Sequence, residues 1–360
     1  MRRSATDGSM SRRFPSLAVL SFGLWVATIS TLLSDAPFFQ VSTCRQQEPI
    51  FRIRRHESQD AEAPLPRVAW LMSWPNSGTS YTLRLVRDIT NLSTATNYGH
   101  EHRINDASIL VHQKWINGPF RANVSQELPR NFILTKTHCG SRCVHCAPDG
   151  YLETPRTFQR SCQSGRRHFN STWSKEAIYQ PDIVSRAVHL IRNPMDNVVA
   201  RFHLSRRHAG GGDKAFDNNA TGFQAWCAKM DSAYETYESH TPWLDPPLLR
   251  LWKSVPCHAE FFKYIQWHDL AWDTAEHMDI SMHLLRYEDY DRNWKGTVDA
   301  LLSYLQLPVA TWKGATPFVI QTYDSFYTSQ QKRDIEALLR NVASARIWEI
   351  VSPYFHDDKV

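Results

Sequence analysis

Four short polar clusters, each directly after an apolar run, carry the chemistry of this sequence. The first is Trp74-Pro75-Asn76-Ser77-Gly78-Thr79-Ser80-Tyr81. Gly78 permits a tight turn, and the hydroxyls of Ser77, Thr79 and Ser80, with the first amides of a helix, can surround a phosphate. The segment lacks the Gly-Lys-Ser/Thr ending of a Walker A loop, and the same residues also read as an ordinary capped helix start. The second cluster, Lys136-Thr137-His138, joins a fixed cation to an imidazole. An unperturbed pKa of about 6.5 leaves that ring partly neutral near operating pH, as a general base requires. The third runs from Arg192 through Asn193, Pro194, Asp196 and Ala200 to Arg201. It sets a planar guanidinium, suited to bidentate phosphate recognition, beside a helix amino terminus. Asp196 reads as a helix-end or scaffold residue. The fourth, Arg286-Tyr287-Glu288-Asp289, reads as support rather than catalyst. A solitary histidine would read as structural; the company of Lys136 and Arg192 points His138 toward base chemistry.

The elements that must position these clusters follow from the apolar pattern. Val68–Ser73, Phe132–Thr135, Ala187–Ile191 and Ile280–Leu285 read as short buried strands. Thr79–Thr90 carries Leu83, Val86 and Ile89 at helical spacing, and a second helix opens at Pro194, where proline is favoured. Glu260–Ala275 and Gln330–Ala343 also read as helices. Strands alternating with helices predict an α/β fold: three layers, with a parallel sheet covered by helices on both faces. Ligands of such sheets bind at the carboxyl ends of strands, where every cluster lies. His189, inside a strand, and His203, inside a helix, read as structural. Arg206, Arg207 and Gly210-Gly211-Gly212 read either as a mobile loop over an acceptor or as a solvated surface loop.

The 360 residues can bury a substantial core, and 42% apolar with 21% charged residues is a globular composition. A formal charge of +5 is far from the polybasic character of a dedicated nucleic-acid binder. The amino terminus sets four arginines (Arg2, Arg3, Arg12, Arg13) before an uncharged run from Phe14 to Ser34. At about 1.5 Å per residue this run just spans a hydrocarbon core of about 30 Å. The division expected is a cytosolic tail over 1–13, a transmembrane signal anchor over 14–34, a proline-bearing stem over 35–66 and a lumenal domain over 67–360. A cleaved signal peptide ending near Ser34 and Ala36 is the alternative, and either reading leads into the secretory pathway. Sequons at Asn91, Asn123, Asn170 and Asn219 agree with that route. Seven cysteines follow the run: Cys44, Cys139, Cys143, Cys146, Cys162, Cys227 and Cys257. In an oxidising lumen, disulfides stapling an insertion beside His138 compete with a zinc site built from Cys139, Cys143, Cys146 and Cys162. Cys227 and Cys257 flank neighbouring predicted helices and are candidates to pair.

Taken in order, the clusters resemble the landmarks of the sulfotransferase family. The loop at Trp74–Tyr81 is similar to its 5′-phosphosulfate loop, and Lys136-Thr137-His138 to its Lys-Thr-His element. Arg192–Arg201 is similar to its 3′-phosphate segment, and Tyr287-Glu288-Asp289 to a later Tyr-Glu-Asp landmark. The matches span most of Val68–Asp289. The resemblance implies a P-loop-type α/β fold, 3′-phosphoadenosine 5′-phosphosulfate as donor, and in-line transfer without an obligatory metal. It further implies that Asn76, Ser77, Gly78, Thr79, Ser80 and Tyr81 hold the 5′-phosphosulfate, and that Arg192 holds the 3′-phosphate. His138 would take the acceptor's proton, while Lys136 would offset charge on the transferring group. Asn76 stands where the family has a lysine, and Ala200 where it has a serine, with Arg201 adjacent to compensate. Lys313-Gly314 is an echo of the family's late Arg-Lys-Gly element. Topology and resemblance together imply a single-pass Golgi membrane protein acting on a hydroxyl of a glycan or a secreted protein. Two other readings compete: a P-loop-type nucleotide kinase or NTPase, and a catalytically decayed anchored binding protein. Missing Gly-Lys-Ser/Thr and Mg²⁺-binding features oppose the former; Lys136, His138 and Arg192 oppose the latter.

Overall fold

The computed structural model describes residues 66–98, 108–111, 127–140, 153–170, 173–207, 215–240, 244–317 and 320–356. The anchor, tail and stem expected at the amino terminus, three of the cysteines (Cys44, Cys143, Cys146) and the glycine run at 210–212 lie outside these residues. Among the described residues no helix is long and apolar enough to cross a membrane.

Among the described residues six strands form one sheet: β1 (Arg67–Ser73), β2 (Ala95–Thr96), β3 (Ile109–Leu110), β4 (Phe132–Thr137), β7 (Val184–Ile191) and β8 (Ser281–Arg286). Their spatial order is β3-β2-β4-β1-β7-β8, and every neighbouring pair is parallel. A separate antiparallel hairpin joins β5 (Ser164–Asn170) to β6 (Trp173–Ile178).

Strand β1 sits between β4 and β7, and its side chains from Val68 to Ser73 are wholly buried. Strand geometry sends alternate residues to opposite faces. Val68, Trp70 and Met72 therefore join one apolar cluster, and Ala69 and Leu71 join another. The second cluster is closed by Leu83, Val86 and Ile89 of α1 (Thr79–Thr90) and by Val298, Leu301 and Leu305 of a later helix, Trp294–Leu305. The first cluster takes in α2 (Pro155–Cys162), α3 (Pro194–Arg207), α4 (Ala220–Ser232) and α5 (His258–His277). Residues Ile335, Leu338 and Leu339 of Ser329–Val342 complete that side. The sheet is thus covered on both faces, as the alternating pattern predicts.

Among the described residues there are two disulfides: Cys139 with Cys162, and Cys227 with Cys257. Cys139 and Cys162 are therefore not zinc thiolates. The second bond joins α4 to the residue that opens α5, the pairing expected from their flanking positions.

Candidate active site

The chain leaves the carboxyl end of β1 at Ser73 and enters α1 at Thr79, through the loop Trp74–Gly78. Two residues in this loop have left-handed backbone, Asn76 at φ 69° and Gly78 at φ 99°. At Gly78 glycine is required twice over. The left-handed backbone disfavours a side chain, and a Cβ would stand 2.5 Å from Cδ2 of Tyr287. Trp74 anchors the loop, buried edge-on against Tyr264 and Trp267 of α5. Ser77 is buried, and its Oγ accepts from Nδ2 of Asn197, which also donates to the Pro75 carbonyl. Thr79 Oγ1 lies 2.6 Å from Ser73 Oγ. Ser80 is exposed on the first turn of α1.

His138 is the first residue beyond β4, on the strand adjoining β1. Its Nδ1 is 2.8 Å from the Ser73 carbonyl oxygen, which can only accept, so Nδ1 carries the proton. In the neutral ring that leaves the lone pair on Nε2, the tautomer a base at Nε2 requires. The imidazole stacks on Tyr98 at 5.8 Å between centroids. The His138 amide donates to Tyr98 Oη, and its carbonyl accepts from Trp267 Nε1. Lys136, two residues earlier, is buried in β4 between Leu71 of β1 and Thr96 of β2.

Arg192 follows β7, the other neighbour of β1. Its guanidinium donates to the carbonyls of Asn76 (3.0 Å) and Gln321 (3.4 Å) and lies 4.5 Å from the centroid of the Tyr287 ring. Among the described residues no carboxylate hydrogen-bonds it. Tyr287 packs against the Arg192 guanidinium, and Glu288 holds the backbone that follows it. Burial, the largest influence, pushes the Tyr287 phenol up. Glu288, also raised by burial, accepts from the Asn193 amide and the Tyr354 hydroxyl. Asp196 holds the Tyr323 amide, a scaffold contact.

His138, the loop and Arg192 thus meet at one edge of the sheet, on the exits of β4, β1 and β7. Arg201 turns elsewhere. It is buried beside α5, where Nε donates to Glu260 and the guanidinium covers the Trp74 ring at 5.1 Å. Lys263 Nζ closes this cluster, 2.7 Å from Glu260 Oε1. Tyr81 lies over the first turn of α1, its hydroxyl donating to the Thr316 carbonyl and accepting from Trp294 Nε1. Gly314 joins Tyr81, Arg84 and Thr316 around a surface pocket, with Lys313 exposed beside it. His189 is buried against His268, Nε2 to Nδ1 at 2.5 Å, and burial lowers its pKa to about 3, a structural pair.

Sequence reading missed Ser73, Tyr98, Asn197 and Trp267. Asn197 lies within the Arg192–Arg201 segment but was given no role there, and the other three fall outside the clusters; each matters through what it touches. Two buried donors fit an anionic ligand: Asn76 Nδ2 and Arg192 Nε have no acceptor among the described residues.

The glycine-turned loop, His138 and the carbonyl-held Arg192 thus lie together at the carboxyl ends of the strands, where sheets of this kind bind ligands. The chain matches the sulfotransferase domain model over residues 66–333, and it belongs to the sulfotransferase family. It is accordingly an enzyme of sulfuryl transfer. A crystal structure of the mouse sulfotransferase SULT7A1 complexed with PAP is similar at 13% identity and a TM-score of 0.39, covering 82% of this chain and 90% of that one. No curated protein sequence matches.

Proposed function

We propose that this enzyme moves the sulfuryl group of 3′-phosphoadenosine 5′-phosphosulfate to a hydroxyl of a glycan or secreted protein, with His138 as general base. The observation that carries this reading is the Nδ1–H bond from His138 to Ser73, the residue from which the phosphate loop departs. It directs the basic Nε2 away from the strand end while tying base and loop together. The donor supplies an electrophilic sulfur on a good phosphate leaving group. His138 Nε2 takes the proton as the acceptor oxygen bonds sulfur and the sulfur–phosphate oxygen bond breaks, leaving 3′-phosphoadenosine 5′-phosphate. Lys136 offsets negative charge on the transferring group. The loop amides with Ser77, Gly78, Thr79 and Ser80 hold the 5′-phosphate. Asn76 adds a hydrogen-bond donor without charge, and Arg192 holds the 3′-phosphate. Tyr81, Lys313 and Gly314 form the outer rim of the donor site. Arg201 serves as a loop support, because its guanidinium is engaged by Glu260. Transfer needs no metal in this scheme.

The uncharged amino-terminal run supports a Golgi membrane anchor with a lumenal catalytic domain, and the two disulfides support an oxidising compartment. Cleavage of that run would instead release a secreted enzyme.

Calorimetry on the full-length protein tests the donor. Binding of 3′-phosphoadenosine 5′-phosphate should exceed that of ATP, persist in a chelator and weaken in Arg192→Ala. Equal or tighter ATP binding that requires Mg²⁺ would sink the proposal. Transfer from labelled donor to a panel of glycans and tyrosine peptides, compared with His138→Gln, then tests the base.

A further inference from the structure

We propose that the Cys139–Cys162 disulfide is a positioning element for His138, bracketing the base so that its imidazole stays on Ser73. The functional meaning rests on His138 being the base. His138 lies just past the last paired residue of β4, Thr137, which is in register with Met72. Ladder bonds therefore no longer hold the chain at this point. The next residue, Cys139, has φ 52°. For a residue with a Cβ this left-handed conformation costs roughly 1–2 kcal/mol, so it persists only where the surroundings impose it.

What imposes it is Cys162, wholly buried at the end of α2. The Cys162 carbonyl accepts from Thr137 Oγ1 at 3.0 Å, from Asn97 Nδ2 at 2.7 Å and from the Tyr179 hydroxyl at 3.3 Å. The residue before His138 is thus hydrogen-bonded to Cys162, and the residue after it is covalently bonded to Cys162. One fixed point grips both sides of the base. His138's bonds to Ser73, Tyr98 and Trp267 are individually worth only about 1 kcal/mol each. Each depends on the backbone being delivered to the right place. The Cys227–Cys257 bond, between α4 and the start of α5, touches neither Thr137 nor His138 and provides the comparison.

The test uses full-length protein labelled with ¹⁵N in its histidine rings, and 3′-phosphoadenosine 5′-phosphate as the binding probe. Cys139→Ala/Cys162→Ala removes the tether. Cys139→Gly/Cys162→Val removes it while accepting the left-handed backbone and filling the sulfur's space. His138→Gln assigns the His138 signal, and Cys227→Ala/Cys257→Ala is the control.

We expect the tether variants to bind the probe within about twofold of wild type. Their His138 ring signal should pass from one Nδ1-protonated form to an average of two tautomers, with transfer to the acceptor panel falling roughly tenfold or more. The control should keep the wild-type His138 signal. A probe-binding tether variant that retains that signal overturns the proposal. So does failure of both variants to bind the probe, since a tether acting only at His138 leaves the loop and Arg192 intact. If the tautomers average as expected but His138→Gln still transfers sulfuryl groups, the base assignment fails and the positioning contact stands.

Discussion

Arg192 and Arg201 belong to one strand-to-helix segment, and both are buried, yet the structure gives them opposite partners. Arg192 rests on neutral carbonyls and an aromatic face. Arg201 is matched to the carboxylate of Glu260 beside Lys263. A buried cation with its own carboxylate is already neutralised, and its disruption strands a charge in low dielectric. Arg192 feels Asp196 and Glu288 only at a distance, so its guanidinium keeps hydrogen-bonding capacity to offer an anion. On the proposed donor site, the contrast separates a scaffold arginine from a ligand arginine more sharply than burial or sequence position does.

The largest effect should come from Glu260→Ala. It leaves Arg201 and Lys263 buried without a counter-charge, and we expect a loss of about 3–5 kcal/mol in denaturant unfolding. A loss below about 1 kcal/mol would erase the distinction. The same carboxylate sharpens the comparison through pH. Burial alone would raise its pKa, but Arg201 and Lys263 outweigh burial and bring it to about 2. A depressed acid contributes stability above its unfolded value, near 4.3, and loses it as pH falls through about 2. Acid titration of wild-type stability should therefore show a falling limb in that window, which Glu260→Gln flattens.

Arg192→Ala should do the reverse. Unfolding should change by about 1 kcal/mol or less, while probe affinity drops by about 1.5–3 kcal/mol, the range for hydrogen bonds to a charged group. Least affected should be Lys313→Ala, an exposed cation on the proposed outer rim. A severalfold affinity loss at low salt that fades as ionic strength rises is expected. A salt-independent loss would move Lys313 into the inner site.

Much of this architecture is legible in the residues. Thr79–Thr90 is helical over the expected span because Gly78 breaks the chain before it and its apolar spacing is regular. Strands β1, β4, β7 and β8 fall within a few residues of expectation because continuous apolar runs leave little choice. Strands β2 and β3, two residues each, are too short to carry any period. The β5–β6 hairpin reads Ser-Gly-Arg-Arg-His-Phe-Asn and Trp-Ser-Lys-Glu-Ala-Ile, with no sustained apolar alternation to announce it. In the site, residue type points to Arg192, and the company of Lys136 and Arg192 points to His138. Which way Arg201 faces depends on Glu260, 59 residues away. The parts played by Ser73, Tyr98 and Asn197 arise only once β1, β4 and α3 are side by side.

The central position of β1 also sets a timetable. Its apolar stretch, Val68 to Met72, can be covered on one side when β4 arrives, but its other edge waits for Val184 and the rest of β7. A ribosome adding about 5–20 residues per second needs on the order of 6–25 seconds to travel from Val68 to Val184. Through that interval the nascent chain carries a bare, β-prone edge at what becomes its centre. Guarding that edge during synthesis is a burden that falls on chaperones rather than on the finished fold.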